Sequence, residues 1–213
     1  MRKLIIIGTG GHATSVASIA ISCGYEVGAK LEPTKHAIEA LSRQGLISLG
    51  IQETEGPCIC VALGDNFIRQ ELANHCKLHL KDCSFPLLIH PTSIVGPDST
   101  FGEGTVVMPG VVIGPNTNIG RFCVINSAAS IDHDCNINDY ASVAPGATLG
   151  GSVSVGERSA VCIGASVRHK TIIGSDTVLG GGSYLNNDLP SNVTAYGLPA
   201  KVVGARSSSD PYL

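Results

Sequence analysis

The sequence predicts a small α/β unit followed by a left-handed parallel β-helix, and three observations carry this expectation. A large apolar residue recurs at every sixth position from Val95 to Leu185. The residue four positions after each of these is small or β-branched, except for Leu189 in the final hexad. Ahead of the repeat, an apolar strand pattern, a glycine-rich turn and a helical pattern follow one another, as in the first half of a βαβ unit.

The six-residue step fits neither the 3.6-residue period of a helix nor the two-residue period of a half-buried strand, and it is typical of a β-solenoid. We expect three hexads to close one triangular coil around the large residue, so that the sixteen hexads give about five coils stacked about 4.8 Å apart. The residue directly after each large residue is Gly, Asn or Asp in twelve of the sixteen hexads. These types favour left-handed or turn backbone, which we expect at that position. A chance run of Val and Ile in a β-sandwich would not hold this register without a slip.

In the front part, the patterns predict a domain of residues 1 to 88 with about four parallel strands, followed by a β-helix domain of residues 89 to 213. Predicted strands run from Arg2 to Gly8 and from Cys58 to Leu63, and predicted helices from Ala13 to Cys23, Thr34 to Gln44 and Phe67 to His75. This length is too short for a complete dinucleotide fold with both halves, which argues against NAD chemistry.

Composition narrows the class of partner. The 213 residues carry a formal net charge of −3 and no cluster of four or more Lys and Arg, which argues against nucleic acid and against an anionic membrane surface. The eight cysteines include no C-x-x-C pair, so no zinc ribbon or tight disulfide framework is indicated. The apolar run after Arg2 and Lys3 is too short for a secretory signal, and no segment approaches the roughly 18 apolar residues of a membrane span. We therefore expect a cytoplasmic protein with small-molecule partners.

Two segments are candidates for chemistry. The turn from Gly8 to His12 would let backbone amides approach a phosphate or a sugar at a helix N-terminus, although a purely structural turn fits the local sequence equally well. His133 lies two residues after the interior Ile131 and between two aspartates, which would place it on an outer corner. A carboxylate beside an imidazole fixes its tautomer and suits a general base, whereas an isolated exposed histidine is more often surface decoration. His169 occupies the same hexad position two coils later. The remaining histidines, His36, His75, His79 and His90, are interpreted as structural.

These motifs resemble those of the bacterial nucleotide-sugar acetyltransferases. The resemblance covers nearly the whole chain and lies in the Gly-x-Gly-Gly-His12 turn, Gly64-Asp-Asn-Phe-Ile-Arg69, Asn126, the Asp-His-Asp-Cys135 hexad and Gly197-Leu-Pro-Ala-Lys201. The most similar members N-acetylate UDP-4-amino-4,6-dideoxy-N-acetylglucosamine on the way to diacetylated bacillosamine, and sialic acid O-acetyltransferases share the architecture.

The resemblance implies a role for individual residues. His133 would be the general base, Asp134 would orient it, and Asn126 would lie close by. The Gly151 amide would bind the thioester oxygen of acetyl-CoA, the co-substrate, with no metal required. The implied nucleotide-sugar contacts are Gly10, Gly11, His12, Glu32, Asn66 and Arg69, and the implied CoA contacts are Gly151, Ile163, Gly181 and Lys201. The resemblance also implies a homotrimer with active sites between subunits.

Two departures from the family pattern leave alternatives open. Ser142 stands where close relatives have a second active-site histidine, and Glu32-Pro33 stands where they often have an acidic pair, which leaves the choice among UDP, dTDP and GDP open. O-acetylation of sialic acid or another sugar is the first alternative to N-acetylation. A zinc-dependent β-helix enzyme would need three converging histidines, and only His133 and His169 lie in the coil. A non-catalytic scaffold or sugar-binding protein is the remaining alternative.

Overall fold

The structure is a computed structural model that describes residues 1–41, 46, 48 and 56–212. The α/β unit contains strands β1 Lys3–Ile7, β2 Glu26–Leu31 and β3 Cys58–Val61, with helices α1 Gly11–Ser22, α2 Lys35–Glu39 and α3 Asn66–His79. The strands form a parallel sheet in the order β2-β1-β3, so β1 is central. Its apolar run is buried on both faces, because one side packs on α1 and the coil and the other on α3.

About four parallel strands were expected, and the described residues form three, with a single parallel bridge between Cys58 and Ser84 beside them. The pairing cannot extend, because Pro86 would be the next residue to donate and has no amide hydrogen. The predicted helix beginning near Thr34 starts at Lys35, with the Thr34 side chain accepting a hydrogen bond from the Ala37 amide at 3.1 Å. Its predicted end at Gln44 lies outside the described residues.

The β-helix is confirmed, and it begins at Leu88, before the repeat recognised in the sequence. Face 1 contains β4 Leu88–Ile89, β7 Val106–Val107, β10 Val124–Ile125, β13 Ser142–Val143, β16 Ala160–Val161 and β19 Val178–Leu179. Face 2 contains β5 Ile94–Val95, β8 Val112–Ile113, β11 Ser130–Ile131, β14 Thr148–Leu149, β17 Ser166–Val167 and β20 Tyr184–Leu185. Face 3 contains β6 Thr100–Phe101, β9 Asn118–Ile119, β12 Asn136–Ile137, β15 Ser154–Val155 and β18 Ile172–Ile173. An antiparallel hairpin, β21 Val193–Gly197 and β22 Ala200–Ala205, extends face 1.

The interior of the coil is the one that the hexads predict. The large residues from Val107 to Leu185 and the small residues between them are buried. Val95 is 38% exposed and Phe101 is partly exposed, because they lie in the first strands of faces 2 and 3 and have no coil beneath them.

The prediction of left-handed backbone directly after each large residue is wrong. Positive φ recurs three residues after the large residue instead, at every sixth position from Asp98 to Gly182. The glycines that follow the large residues serve close approach: a Cβ on Gly114 would lie 2.5 Å from the backbone nitrogen of His133 in the next coil. Gly150 stands in the same relation to His169, at 2.8 Å. Gly is favoured there because the stacked corners leave no room for a side chain.

The corners carry several of the candidate site residues. We name them by the faces that they join: corner 1–2 includes residues 126–129, corner 2–3 residues 132–135 and corner 3–1 residues 138–141 of the central coil, with their equivalents above and below. The α/β unit packs on face 1 and corner 3–1. In the part of the chain that the structure describes, no helix has the length and apolar character needed to cross a bilayer.

Candidate active site

The carboxyl edge of the three-stranded sheet gathers the glycine turn and Glu32. Gly8 has φ +137°, and a Cβ there would lie 2.6 Å from the Ala62 carbonyl oxygen, so only glycine fits. Gly10 precedes α1 and has no side chain to cap the first amides of the helix, which face outward with the helix dipole behind them. The Thr9 hydroxyl lies 3.3 Å from Glu32 Oε2. This edge therefore has the shape and polarity expected for a phosphate or sugar.

A cavity of about 510 Å³ lies between the α/β unit and the coil. His12 and Gly64 line it from the α/β unit, and Asn126, Ile163 and Gly181 line it from corner 1–2. Four of these were predicted as site residues from separate parts of the sequence. The cavity is also continuous with face 1, whose outward residues form its floor.

His12 presents an unsatisfied nitrogen at this cavity. Its Nε2 is buried and has no hydrogen-bond partner among the described residues. Burial, followed by the nearby positive charge of Arg69, lowers the pKa of His12 to about 4. The imidazole is therefore neutral near pH 7, and its Nε2 is left without a protein partner in a residue that lines the cavity.

The structure corrects the predicted roles of Asn66 and Arg69. Both are only 1% exposed and lie between the α/β unit and the coil. The five N–H donors of Arg69 are taken by the carbonyl oxygens of Leu63, Gly64, Phe122 and Tyr140 and by the side-chain oxygen of Asn66. The Asn66 amide in turn donates to the Arg158 and Ser159 carbonyls at 3.0 and 3.1 Å. With no free donor, neither residue can contact a nucleotide sugar, and both instead fasten the two parts of the chain together.

His133 lies on corner 2–3 with its tautomer fixed by its neighbour. Its Nδ1 is 2.6 Å from Asp134 Oδ2, which leaves Nε2 free to accept a proton. Asp134 has φ +58°, and Asn116 donates to its other oxygen at 3.3 Å. The hydrogen bond to Asp134, together with the charge of Asp132, raises the pKa of His133. The same bond and that from Asn116 lower the pKa of Asp134. A charged carboxylate therefore supports the base.

Gly151 lies directly against the His133 ring. A Cβ on Gly151 would be 2.6 Å from His133 Nε2, so any larger residue would displace the ring. Within the described residues, the Gly151 amide donates to no protein acceptor. The corner thus places one free proton acceptor and one free backbone donor beside each other.

Within one chain, the structure does not bring His133 into the cavity. Asn126 lies on corner 1–2 and His133 on corner 2–3, at opposite edges of face 2. The expectation that Asn126 lies close to the base therefore fails for a single subunit. Lys201 is exposed on β22 and does not line the cavity, whereas Ile163 is 67% exposed at its rim.

The zinc alternative has no geometric support in the coil. His169 lies two coils beyond His133 on the same corner, about 10 Å away by the strand spacing. Across the described ranges, only Glu39, His75 and His79 are close enough to share an ion, and they lie outside the cavity. His75 and Glu39 pair there at 3.0 Å between Nε2 and Oε1.

Tyr212 was missed by the sequence reasoning. It lines the cavity, and its hydroxyl donates to the Gly64 carbonyl at 2.9 Å, across 148 positions of sequence. Ser142, predicted only as a departure from the family pattern, lies in the same wall of the cavity. No local pattern identifies Tyr212, because its contact depends on the path of the chain after β22.

Comparison with known proteins agrees with this architecture. The PglD N-terminal domain family matches residues 3–76, and the bacterial transferase hexapeptide family (six repeats) matches residues 92–127. A GDP-perosamine N-acetyltransferase from Caulobacter crescentus, solved as a histidine-to-alanine variant with CoA and GDP-perosamine, is 35% identical with a TM-score of 0.85, covering 96% of this chain and 98% of that one. The acetyltransferase domain of PglB from Neisseria gonorrhoeae, solved with acetyl-CoA, is 31% identical with a TM-score of 0.83, covering 95% and 99%.

One curated relative matches over a shorter stretch. The UDP-N-acetylbacillosamine N-acetyltransferase of Bacillus subtilis (strain 168) is 44% identical over 48 residues, which is 22% of this chain and 21% of that protein.

The hexapeptide coil, with an imidazole on one corner and a cavity on another, defines the class as an acetyltransferase. The identity of 35% over nearly the full length then places the chain more narrowly: it belongs to the family of nucleotide-sugar N-acetyltransferases with a PglD-type N-terminal domain.

Proposed function

We propose that the protein transfers the acetyl group of acetyl-CoA to the 4-amino group of a UDP-linked 4-amino-4,6-dideoxy sugar of the bacillosamine type. The observation that carries the proposal is the cavity bounded by His12 of the glycine turn on one side and by Ile163 and Gly181 of the coil on the other. It joins the region suited to a nucleotide sugar with an apolar rim suited to pantetheine. The solved relative with both CoA and GDP-perosamine supports this pairing of ligands.

In the proposed reaction, His133 accepts a proton from the sugar ammonium or amine through Nε2. The amine nitrogen attacks the thioester carbonyl, the C–N bond forms, and the C–S bond breaks to release CoA thiolate. The His133 imidazolium then returns its proton to the thiolate, so that CoA leaves as the thiol and the base is regenerated. Asp134 holds the ring in the tautomer that exposes Nε2 and stabilises the imidazolium. The free amide of Gly151 would donate to the carbonyl oxygen as negative charge develops there.

The nucleotide sugar would be held by the glycine turn. Gly10 and Gly11 leave the first amides of α1 open to a diphosphate, with Glu32 at the end of the next strand facing ribose hydroxyls. His12 would contact the sugar from the wall of the cavity. On the CoA side, Ile163 and Gly181 would contact pantetheine, and Lys201 would pair with phosphate at the end of the cofactor.

Because His133 and the cavity lie on different corners, we propose that each active site joins two subunits of a homotrimer. Face 2, which separates the corners, presents Ile94, Val112 and Tyr184 with exposures of 65%, 42% and 40%. The other outward residues of its strands are Ser130, Thr148 and Ser166, so no strand of the face turns a charge outward. An uncharged flat face of this kind suits burial against a second copy.

The test is release of CoA thiol from acetyl-CoA with a panel of UDP-, dTDP- and GDP-linked 4-amino sugars and with sialic acid. We expect turnover of the UDP amino sugar, and a loss of about a hundred- to ten-thousand-fold in His133→Ala. His36→Ala, which changes an exposed histidine on α2, is the matched control and should leave the rate unchanged. Preference for a GDP amino sugar would replace uracil by guanine as the nucleobase of the substrate. Turnover of sialic acid alone would replace N-acetylation by O-acetylation. Full activity of His133→Ala would show that His133 is not the general base.

A further inference from the structure

The segment after β22 folds back over the cavity. The Arg206 amide donates to the Asn192 carbonyl at 2.9 Å, and its guanidinium donates to the Asp176 carbonyl at 2.8 Å. A tight turn follows, in which the Ser207 amide donates to Asp210 Oδ2 at 2.7 Å. Tyr212 then enters the cavity wall, with its ring 5.8 Å from the Arg206 guanidinium carbon. These contacts hold the segment in a defined path.

Tyr212 and Ser142 form the end of a directed hydrogen-bond chain. The Asn66 oxygen accepts from Arg69 at 2.6 Å, which fixes the Asn66 nitrogen as the group 3.3 Å from Ser142 Oγ. That nitrogen can only donate, and its two hydrogens already go to the Arg158 and Ser159 carbonyls at 3.0 and 3.1 Å, so the direction of the Ser142 hydroxyl is decided by Tyr212. At the other end, the Gly64 carbonyl can only accept, so the Tyr212 hydroxyl donates its proton there. The proton of Ser142 then points to Tyr212 Oη, at 3.4 Å.

This direction determines what the pair can bind. Both hydroxyl protons are committed to protein acceptors, so the lone pairs that remain on Tyr212 and Ser142 can only accept. On a sugar, the groups that can donate to such acceptors are hydroxyl O–H and amine N–H groups. His12 and Asn126 line the same cavity, so the pair faces the space that a sugar would occupy.

We infer that Tyr212, paired with Ser142, is a specificity-determining residue that accepts a hydrogen bond from the sugar of the nucleotide-sugar substrate. This inference rests on the proposed function, because it assumes that the cavity holds the sugar. It assigns an acceptor pair to the wall of the cavity, supplied partly by the segment after β22. The pair would bind the sugar in the ground state as well as the transition state, and it therefore acts on KM more than on kcat.

The experiment compares Tyr212→Phe, Ser142→Ala and the double variant with the wild type. Losing one hydrogen bond of this kind is expected to raise KM for the amino sugar about tenfold, with kcat within about threefold and KM for acetyl-CoA unchanged. Because the two hydroxyls act as one unit, the double variant should lose little more than either single variant. Tyr25→Phe, which removes a hydroxyl of the α/β unit that does not line the cavity, is the control.

Each outcome has one meaning. An unchanged sugar KM in Tyr212→Phe, or an equal rise of KM for both substrates, would reduce Tyr212 to an anchor of its own segment. If the wild-type protein turns over the amino sugar and Tyr212→Phe gives either of these results, only this inference is overturned. If the wild type neither acetylates nor binds any nucleotide sugar by calorimetry, the proposed function and this inference fall together.

Discussion

Under the proposed mechanism, the pair formed by His133 and Asp134 sets the pH at which the base works. Asp134 raises the pKa of His133 through their hydrogen bond. A base must be deprotonated to act, so kcat/KM should fall as the pH falls through this raised pKa. Removing the carboxylate lowers the pKa of the imidazole, and the acid limb then moves to lower pH.

We therefore expect Asp134→Asn to shift the acid limb of the pH profile downward and to reduce the plateau of kcat/KM about tenfold to hundredfold, because the ring is less well oriented. The measurement is kcat/KM from pH 5 to 9. Asp98→Asn is the control: Asp98 is exposed, shares the left-handed backbone and lies two coils earlier on the same corner. An acid limb that stays in place in Asp134→Asn would show that Asp134 does not set the pKa of the base.

Gly151 offers a second prediction for a single residue. A Cβ at this position would lie 2.6 Å from His133 Nε2, so Gly151→Ala should push the exposed ring away and lower kcat at least about tenfold. The backbone there has no positive φ, and the nearest atoms that a Cβ would meet all belong to the exposed His133 ring, so the melting temperature should change by less than about 2 °C.

Gly204→Ala is the matched control for Gly151→Ala, because a Cβ on Gly204 meets nothing within 4 Å. Wild-type kcat in Gly151→Ala would mean that the His133 ring works in a different position from the one observed. A large drop in melting temperature would mean that the loss comes from the fold.

Among the elements, α3 holds the α/β unit on the coil through Arg69. Its five donors satisfy five oxygens at a site that is 1% exposed. Arg69→Met keeps most of the volume but leaves these oxygens without donors, so we expect a loss of roughly 3–5 kcal/mol in unfolding free energy.

The loss should be local to the junction of the two units. Urea unfolding should show the α/β unit released at a lower midpoint than the coil, and limited proteolysis should cut between them. Arg168→Met, which removes an exposed arginine of the coil, should change stability by no more than about 0.5 kcal/mol. A midpoint for Arg69→Met equal to that of Arg168→Met would contradict the role of α3 as the fastening element.

The elements that the sequence predicts well are those in which one periodicity determines which residues are buried. The six-residue step predicts the interior residues from Val107 to Leu185, because each coil repeats the same packing problem. It does not reveal the sign of φ: Phe122 and Tyr140 adopt left-handed backbone against their own preference, since the corner geometry imposes it. The glycines that follow the large residues were expected to adopt left-handed backbone, but glycine stands there because the next coil approaches too closely for a side chain.

The site was predictable where its residues are neighbours in sequence or stand in a recognisable motif. His133 and Asp134 are adjacent, and the glycine turn follows a strand. Asn66 and Arg69 were assigned wrongly, because a polar motif does not show whether it faces a ligand or a second domain. Tyr212 could not be predicted, because its partner Gly64 is brought near it only by the complete fold.

At the scale of the whole molecule, the arrangement of corners separates the two halves of a site. His133 lies at one edge of face 2 and the cavity at the other, so under the proposed function one chain would carry the base of one site and the substrate pocket of a second. The proposed closed trimer would give each pocket the base of its neighbour, and three sites would result. Two defective chains can then complement each other, provided that their defects lie in different halves.

The prediction uses His133→Ala, which lacks the base, and Asn126→Trp, which fills the cavity. Each homotrimer should be inactive. When the two are co-expressed in equal amounts and assemble at random, each site takes its base from one chain and its pocket from another. The two halves are then intact independently of each other, so about one quarter of wild-type activity should return. The purified assemblies should elute as trimers, and activity is measured per mole of chain.

The decisive control places both substitutions in one chain and co-expresses it with the wild type. Sites shared between subunits again require two independent intact halves and give about one quarter of full activity, whereas sites contained within one chain would give about one half. Sites within one chain would also leave the first mixture inactive. An inactive first mixture, together with about one half of full activity in the control mixture, would therefore exclude the shared site. Such a result would require a rearrangement that carries His133 across face 2 to the cavity of its own chain.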